Sequence, residues 1–261
     1  INLKAMKKIL VPYDFSAYSE AALDYALALC EITHGTVTIL NVIEYPMGTT
    51  FNVSGEVSQV SDNDHIFTLD LIKRTKQRLA EVVQAEKYVS KGIETQVMMG
   101  NPYDGITKLI DEQDTDLIVM GTKGATGLQE MFVGSNAEKV VRNSKCPVLT
   151  INKDQEFESI KNIVFATSLE KKQEPIFESI KELQELFDAE LHMIYVHTPH
   201  DVINEEFALE KLEAIAINHS ISNYQVHVTK GFYPEEGIMM YAWNTKADMI
   251  AMATHGFKGI T

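Results

Sequence analysis

The sequence predicts an α/β fold of two tandem domains, each an open five-stranded parallel sheet with helices on both faces. Three observations carry that expectation. Short apolar runs of strand length alternate with longer segments of helical period along the chain, as a parallel sheet with helical crossovers requires. The opening pattern then returns: Lys7-Lys-Ile-Leu-Val matches Lys161-Asn-Ile-Val-Phe, Val42 matches Val196, and Asp116-Leu-Ile-Val-Met-Gly-Thr-Lys-Gly matches Asp248-Met-Ile-Ala-Met-Ala-Thr-His-Gly. Finally, a glycine-rich stretch, residues 121–135, follows the strand-like run Leu117-Ile-Val-Met120 and precedes a helical pattern. A loop from the carboxyl end of a parallel strand into a helix N-terminus is where such folds hold phosphates, because free backbone N–H groups and the helix dipole point there.

The elements follow in order. Residues 7–13 read as the first strand, ended by Pro12 and the turn-prone Asp14-Phe-Ser16. Over residues 17–33, Ala21, Ala22, Tyr25, Ala26, Leu29 and Cys30 recur at helical spacing, and Gly35 is expected to stop that helix. Residues 36–43 form the second strand. Residues 44–64, rich in Gly, Ser, Thr and Asn, are aperiodic and read as a long mobile loop. A second helix is expected over 67–90, with Leu69, Ile72, Leu79, Val82 and Val83 as its apolar stripe. The third strand (93–99), third helix (104–113), fourth strand (116–120), a helix over 136–143 and a fifth strand (146–151) complete the first domain, residues 6–152. A polar linker over 152–158 leads to the second, residues 159–261. There the first copy's plan places the last strand beyond Thr261. Ile1 to Ala5 precede Met6, the expected native start, and are not counted in the expected domains.

A hydrophobic fraction of 45% with 23% charged residues is that of an ordinary globular chain, and a net charge of -14 disfavours nucleic acid or an anionic membrane as partner. No apolar run approaches the ~18 residues of a membrane span, no signal segment opens the chain, and a cytoplasmic location is expected. Cys30 and Cys146 lack metal-type spacing and read as buried, reduced thiols. The histidines are scattered apart from His197-Thr-Pro-His200, which reads as a solvated turn, so no metal site is expected.

The segment Val11-Pro-Tyr-Asp-Phe-Ser16, the spacing Gly121-x2-Gly124-x9-Gly134-Ser135 and the strand entry Lys145-Cys-Pro147-Val-Leu together resemble the universal stress protein family, in two copies. The resemblance implies Rossmann-like domains of the adenine nucleotide alpha hydrolase type. It implies a stress-response protein that binds ATP, or AMP or ADP, with Mg2+ or Mn2+ as an accompanying ion. Matching positions assign Asp14 to sugar or base, Val42 to adenine through its main chain, and Met120, Gly121, Gly124, Gly134, Ser135 and Asn136 to ribose and phosphates. Pro12 is counted in the same nucleotide site, and Lys123 is a candidate cation beside the phosphates. The family's dimer contact can be met by intramolecular pairing of the halves or by a homodimer. The second copy departs from the pattern: Ser168 replaces Asp14 and Ala253 replaces Gly121. One working site per chain is expected, with the second domain in a structural role.

Plainer readings stand beside these. Ser135-Asn-Ala-Glu138 is a capping box, Asp14 is an ordinary turn or cap residue, and Lys123 can be solvated. A slow ATPase or phosphoryl or nucleotidyl transferase is an alternative, although the loop lacks the Gly-Lys-[Ser/Thr] of a P-loop and no general base stands out. A nucleotide-free scaffold is another. No catalytic residue is assigned.

Overall fold

The computed structural model describes residues 7–44, 62–122, 135–153, 157, 160–170 and 174–253. The described residues divide into two compact units, one within Met6–Gln155 and the other within Glu156–Thr261.

The first unit runs β1 (Lys8–Pro12), α1 (Ala17–Thr33), β2 (Thr36–Ile43), α2 (Asp62–Gln84), β3 (Glu94–Met99), α3 (Pro102–Gln113), β4 (Leu117–Gly121), α4 (Ser135–Asn143) and β5 (Val148–Ile151). All five strands are parallel, in the order β3-β2-β1-β4-β5. Strand side chains alternate between faces. Leu10, Leu40, Ile118 and Met120 therefore meet Ile106, Leu109 and Ile110 of α3 and Ala137 and Val140 of α4, while α1 packs against β1 and β4. Covering both faces leaves Ile9, Leu10 and Val11 at most 2% exposed, each such side chain contributing about 1.5–3 kcal/mol.

Several boundaries differ from the sequence reading. The left-handed residue ending α1 is His34, φ 55°, ahead of Gly35. Helix α2 begins at Asp62, inside the expected loop, whose residues 45–61 lie outside the described residues. It ends at Gln84 because the following turn docks on α1: Tyr88 donates to Asp24 Oδ1 at 2.8 Å and Lys87 pairs with Asp24 Oδ2 at 2.7 Å. Leu69 is exposed, and among the described residues of α2 those that are buried are Thr75 and Leu79. Helix α3 starts at Pro102, its first turn capped by Asn101 Oδ1 accepting from Tyr103 N–H at 2.9 Å. Pro147 has no N–H to pair, so β5 begins at Val148. Both cysteines are free thiols, half-buried rather than fully buried.

The second unit runs β6 (Asn162–Ala166), α5 (Glu174–Phe187), β7 (Glu190–His197), α6 (Glu205–Asn218), β8 (Tyr224–Lys230), α7 (Pro234–Thr245) and β9 (Met249–Met252). Its parallel strands lie in the order β8-β7-β6-β9, the first unit's order through its fourth strand. Small features recur at the matched positions. Asp116 Oδ2 accepts from the N–H groups of Lys7 and Lys8 at 2.9 and 3.0 Å, and Asp248 Oδ2 accepts from those of Lys161 and Asn162 at 2.9 Å each. Left-handed backbone occurs at Phe15 and Leu169, at His34 and Asp188, and at Asp114 and Lys246. A Cβ on Gly105 would come within 2.9 Å of Val42, and one on Gly237 within 2.5 Å of Val196, so both helices sit close over the second strand of their own sheet.

The two aspartates hold the first strand's entry to the fourth by charge-assisted hydrogen bonds. Asp116→Ala should therefore lower the unfolding free energy of its unit by about 1–3 kcal/mol, as should Asp248→Ala in the other; urea unfolding checks both, and an unchanged midpoint would contradict the assignment.

Candidate functional site

In the first unit the chain winds outward from β1 to β2 and β3, then returns to β4 on the other side of β1. Crossovers diverge at that point, leaving a crevice at the carboxyl ends of β1 and β4, the usual ligand position in open parallel sheets. A cleft of about 310 Å³ lies there, at the lower end of the range of small-molecule pockets. The end of β1 contributes Pro12, Tyr13 and Asp14; the end of β2 contributes Leu40, Asn41, Val42 and Glu44; the end of β4 contributes Met120, Gly121 and Thr122. Ser19 of α1, Pro102 and Ile106 of α3, and Ser135, Asn136 and Ala137 of α4 complete the lining.

Pro12, Asp14, Val42, Met120, Gly121, Ser135 and Asn136, named from the sequence, thus come together from four separate segments. Lys123, Gly124 and Gly134 lie outside the described residues, as does His255. Tyr13, Asn41, Thr122, Pro102 and Ile106 were not singled out. Two of them carried a signal: Asn41 is an amide inside an otherwise apolar strand end, and Asn101-Pro102 is a helix-start signature.

The turn after β1 is tightly built. Tyr13 N–H donates to Leu40 O at 2.8 Å, and Asn41 Nδ2 donates to Tyr13 O at 2.7 Å. Asp14 Oδ1 accepts from Ser16 N–H at 3.0 Å, and Ser16 Oγ caps α1 by accepting from Ser19 N–H at 3.2 Å. The turn role open to Asp14 is therefore filled through one carboxylate oxygen of an exposed side chain. Phe15, φ 64°, lies edge-on to Tyr13 with ring centroids 5.4 Å apart, and the Arg78 guanidinium sits 3.8 Å from its ring centroid.

Gly121 has a structural task that the sequence reading did not foresee. A Cβ there would lie 2.7 Å from Tyr18 Cβ and 2.8 Å from the Tyr18 carbonyl carbon, so α1 occupies the space beside it. The close approach expected of a ligand is made by a helix of the same unit. Ser135 opens α4, and the Glu138 carboxylate pairs with Arg142 at 3.0 Å, one turn along the helix. Ser135, Asn136 and Ala137, the first turn of α4, line the cleft, which puts the positive end of that helix's dipole beside it. Among the described lining residues the charged ones are Asp14 and Glu44, both acidic. No group of three His, Cys, Asp or Glu residues among those described could hold a metal, and no helix among them is long and apolar enough to cross a membrane.

The matched positions of the second unit differ. Leu169, φ 61°, repeats the left-handed turn, but its N–H is taken by Thr167 Oγ1 at 3.1 Å, and an uncharged serine, Ser168, stands in the place of Asp14. Ala253 follows β9 where Gly121 ends β4.

Two outcomes follow. Gly121→Val forces apart α1 and β4 and should cost about 2 kcal/mol or more, read by thermal unfolding without any ligand. The Tyr13 phenol is pushed from 10.0 to about 12, chiefly by burial, with the Glu20, Asp24 and Asp14 carboxylates adding to it and Arg78 opposing. Between those values the folded state keeps a proton the unfolded state has lost, so stability falls as pH rises through the window. Unfolding measured from pH 9 to 12 should show a shallower decline in Tyr13→Phe than in the wild type.

Comparison with known proteins gives a consistent relationship. The model of the Universal stress protein family matches residues 6–152. A universal stress protein of Methanocaldococcus jannaschii is 32% identical over 149 residues, covering 56% of this chain and 82% of that protein. One of Bacillus subtilis is 32% identical over 146 residues, covering 55% and 97%. Among solved structures, a universal stress protein from Archaeoglobus fulgidus covers 95% of this chain and 87% of its own at TM-score 0.70 and 24% identity. One described as a putative universal stress protein from Pseudomonas aeruginosa covers 99% and 86% at TM-score 0.66 and 18% identity. These two likenesses share the fold. With the family model spanning more than half of the chain, and that half carrying the cleft, the chain belongs to the universal stress protein family.

Proposed function

We propose that the first unit binds an adenine nucleotide, ATP or its AMP and ADP counterparts, in the cleft between β1 and β4, one per chain. The observation that carries this reading is the convergence of Pro12, Asp14, Val42, Met120, Gly121, Ser135 and Asn136 on one crevice at the switch point of the sheet. The apolar walls of Leu40, Val42, Ile106 and Met120 suit a base. Asp14 offers a carboxylate to ribose hydroxyls, and the start of α4 offers N–H groups to phosphate. The family resemblance also assigns Lys123, Gly124 and Gly134, which lie outside the described residues, to the phosphates. With Asp14 and Glu44 as the described charged lining, a Mg2+ or Mn2+ ion would arrive with the phosphates and be held mainly by them, as magnesium commonly is.

The protein acts as a nucleotide-responsive stress protein rather than a dedicated enzyme. The second unit, whose strand order and small features match the first, is a second domain of the same kind with a structural role. Ser168 lacks the charge of Asp14, and Ala253 replaces the glycine that ends β4.

Calorimetric titration of the purified chain with ATP should give one site per chain, and Asp14→Asn should weaken binding about tenfold. Absence of binding, two equivalent sites, or an unchanged Asp14→Asn affinity would each contradict the reading. Turnover on the order of 1 s⁻¹ or faster would replace it with an enzymatic one.

A further inference from the structure

We infer that Asn41 is a positioning residue of the cleft, holding the turn that aims Asp14 at the ligand; this rests on the nucleotide reading of the same site. Tyr13 follows the last residue of β1. Its N–H still reaches Leu40 O, at 2.8 Å, but Tyr13 lies one residue past Pro12–Leu40, the last registered pair of β1 and β2. On β2 the Asn41 backbone is registered with Val97 of β3. Its side chain turns back and donates Nδ2–H to Tyr13 O at 2.7 Å. A carbonyl only accepts, so the amide must present its NH2 group there. The residue after this clamped peptide is Asp14, and Phe15 next to it sits at φ 64°, an uncommon backbone region for a phenylalanine. The bond from Asn41 fixes the carbonyl of the peptide that leads directly into Asp14.

The second unit supports the assignment by contrast. Its ladder bond persists, Thr167 N–H donating to Ile194 O at 3.1 Å, and so does its left-handed residue, Leu169. The residue in the place of Asn41 is Tyr195, whose hydroxyl is engaged with Asp201, and the turn is secured from within by Thr167 Oγ1. Where the carboxylate has become Ser168, the amide strut has gone as well. A left-handed turn can therefore form without the strut; what accompanies the strut is the carboxylate.

The test is a double-mutant cycle on ATP affinity by calorimetry in the intact chain. Asn41→Leu keeps the branched shape without the donor and should weaken ATP binding about tenfold. Asn41→His places Nδ1–H as many bonds from Cα as Nδ2 and should restore affinity to within about threefold of wild type. In an Asp14→Ala background the Leu substitution should cost nothing further, because an effect exerted through Asp14 disappears with it. If Asn41→Leu does not fold, Asn41→Ser, too short to reach Tyr13 O, takes its place with the same expectation. Unchanged affinity in Asn41→Leu, no rescue by His, or the same loss with and without Asp14 would each overturn the inference while leaving nucleotide binding intact. Failure of the wild type itself to bind ATP would overturn the underlying reading, and the inference with it.

Discussion

A strand hydrogen-bonded along both edges cannot slide, and β1 is held that way between β2 and β4. A one-residue slip would turn Leu10 away from the α3–α4 side and put Ile9 and Val11 in its place. The Asp116 carboxylate, clamping the N–H groups of Lys7 and Lys8, fixes the entrance of the strand. With β1 immobile, its carboxyl end delivers Tyr13 and Asp14 to a defined point, and the return of the chain at β4 opens the crevice beside it. The cleft is a consequence of winding direction; its side chains only decide what fits.

Packing explains why the crevice keeps its shape. Helix α1 comes so close to the end of β4 that only a glycine fits at position 121, and α3 comes so close to β2 that only a glycine fits at 105. Both glycines serve helix-to-sheet contact inside one unit. The loop's first glycine is therefore part of the wall of the cleft, and a variant chosen there would report on the wall.

Much of this was legible in the sequence, for physical reasons. Strands buried on both faces must be apolar throughout, so Lys7 to Tyr13 and Leu117 to Met120 announced themselves, and a duplicated pattern revealed two units. The segments meeting at the crevice came from the resemblance to the family, and the glycine-rich loop also from its place between a strand and a helix. Contacts set by three dimensions were not legible. The Tyr18–Gly121 approach, the Asn41 strut and the docking of Tyr88 on Asp24 join residues far apart in the chain, and no local period encodes them. Leu69 fitted the helical stripe of α2 but is exposed, since period alone does not say where along a helix the sheet lies beneath it.

Comparison of the two units separates what the fold demands from what a ligand would demand. The aspartate clamp, the left-handed turns and the glycine under the third helix occur in both. The Asp14 carboxylate, the Asn41 amide and Gly121 occur in the first alone. The most direct measurement is photolabelling of the intact chain with an azido derivative of ATP, followed by peptide mapping. The account predicts label on first-unit peptides containing Tyr13 to Ser16 or Asn41 to Glu44, displaced by excess ATP. Label confined to the second unit, or label that ATP does not displace, would contradict it.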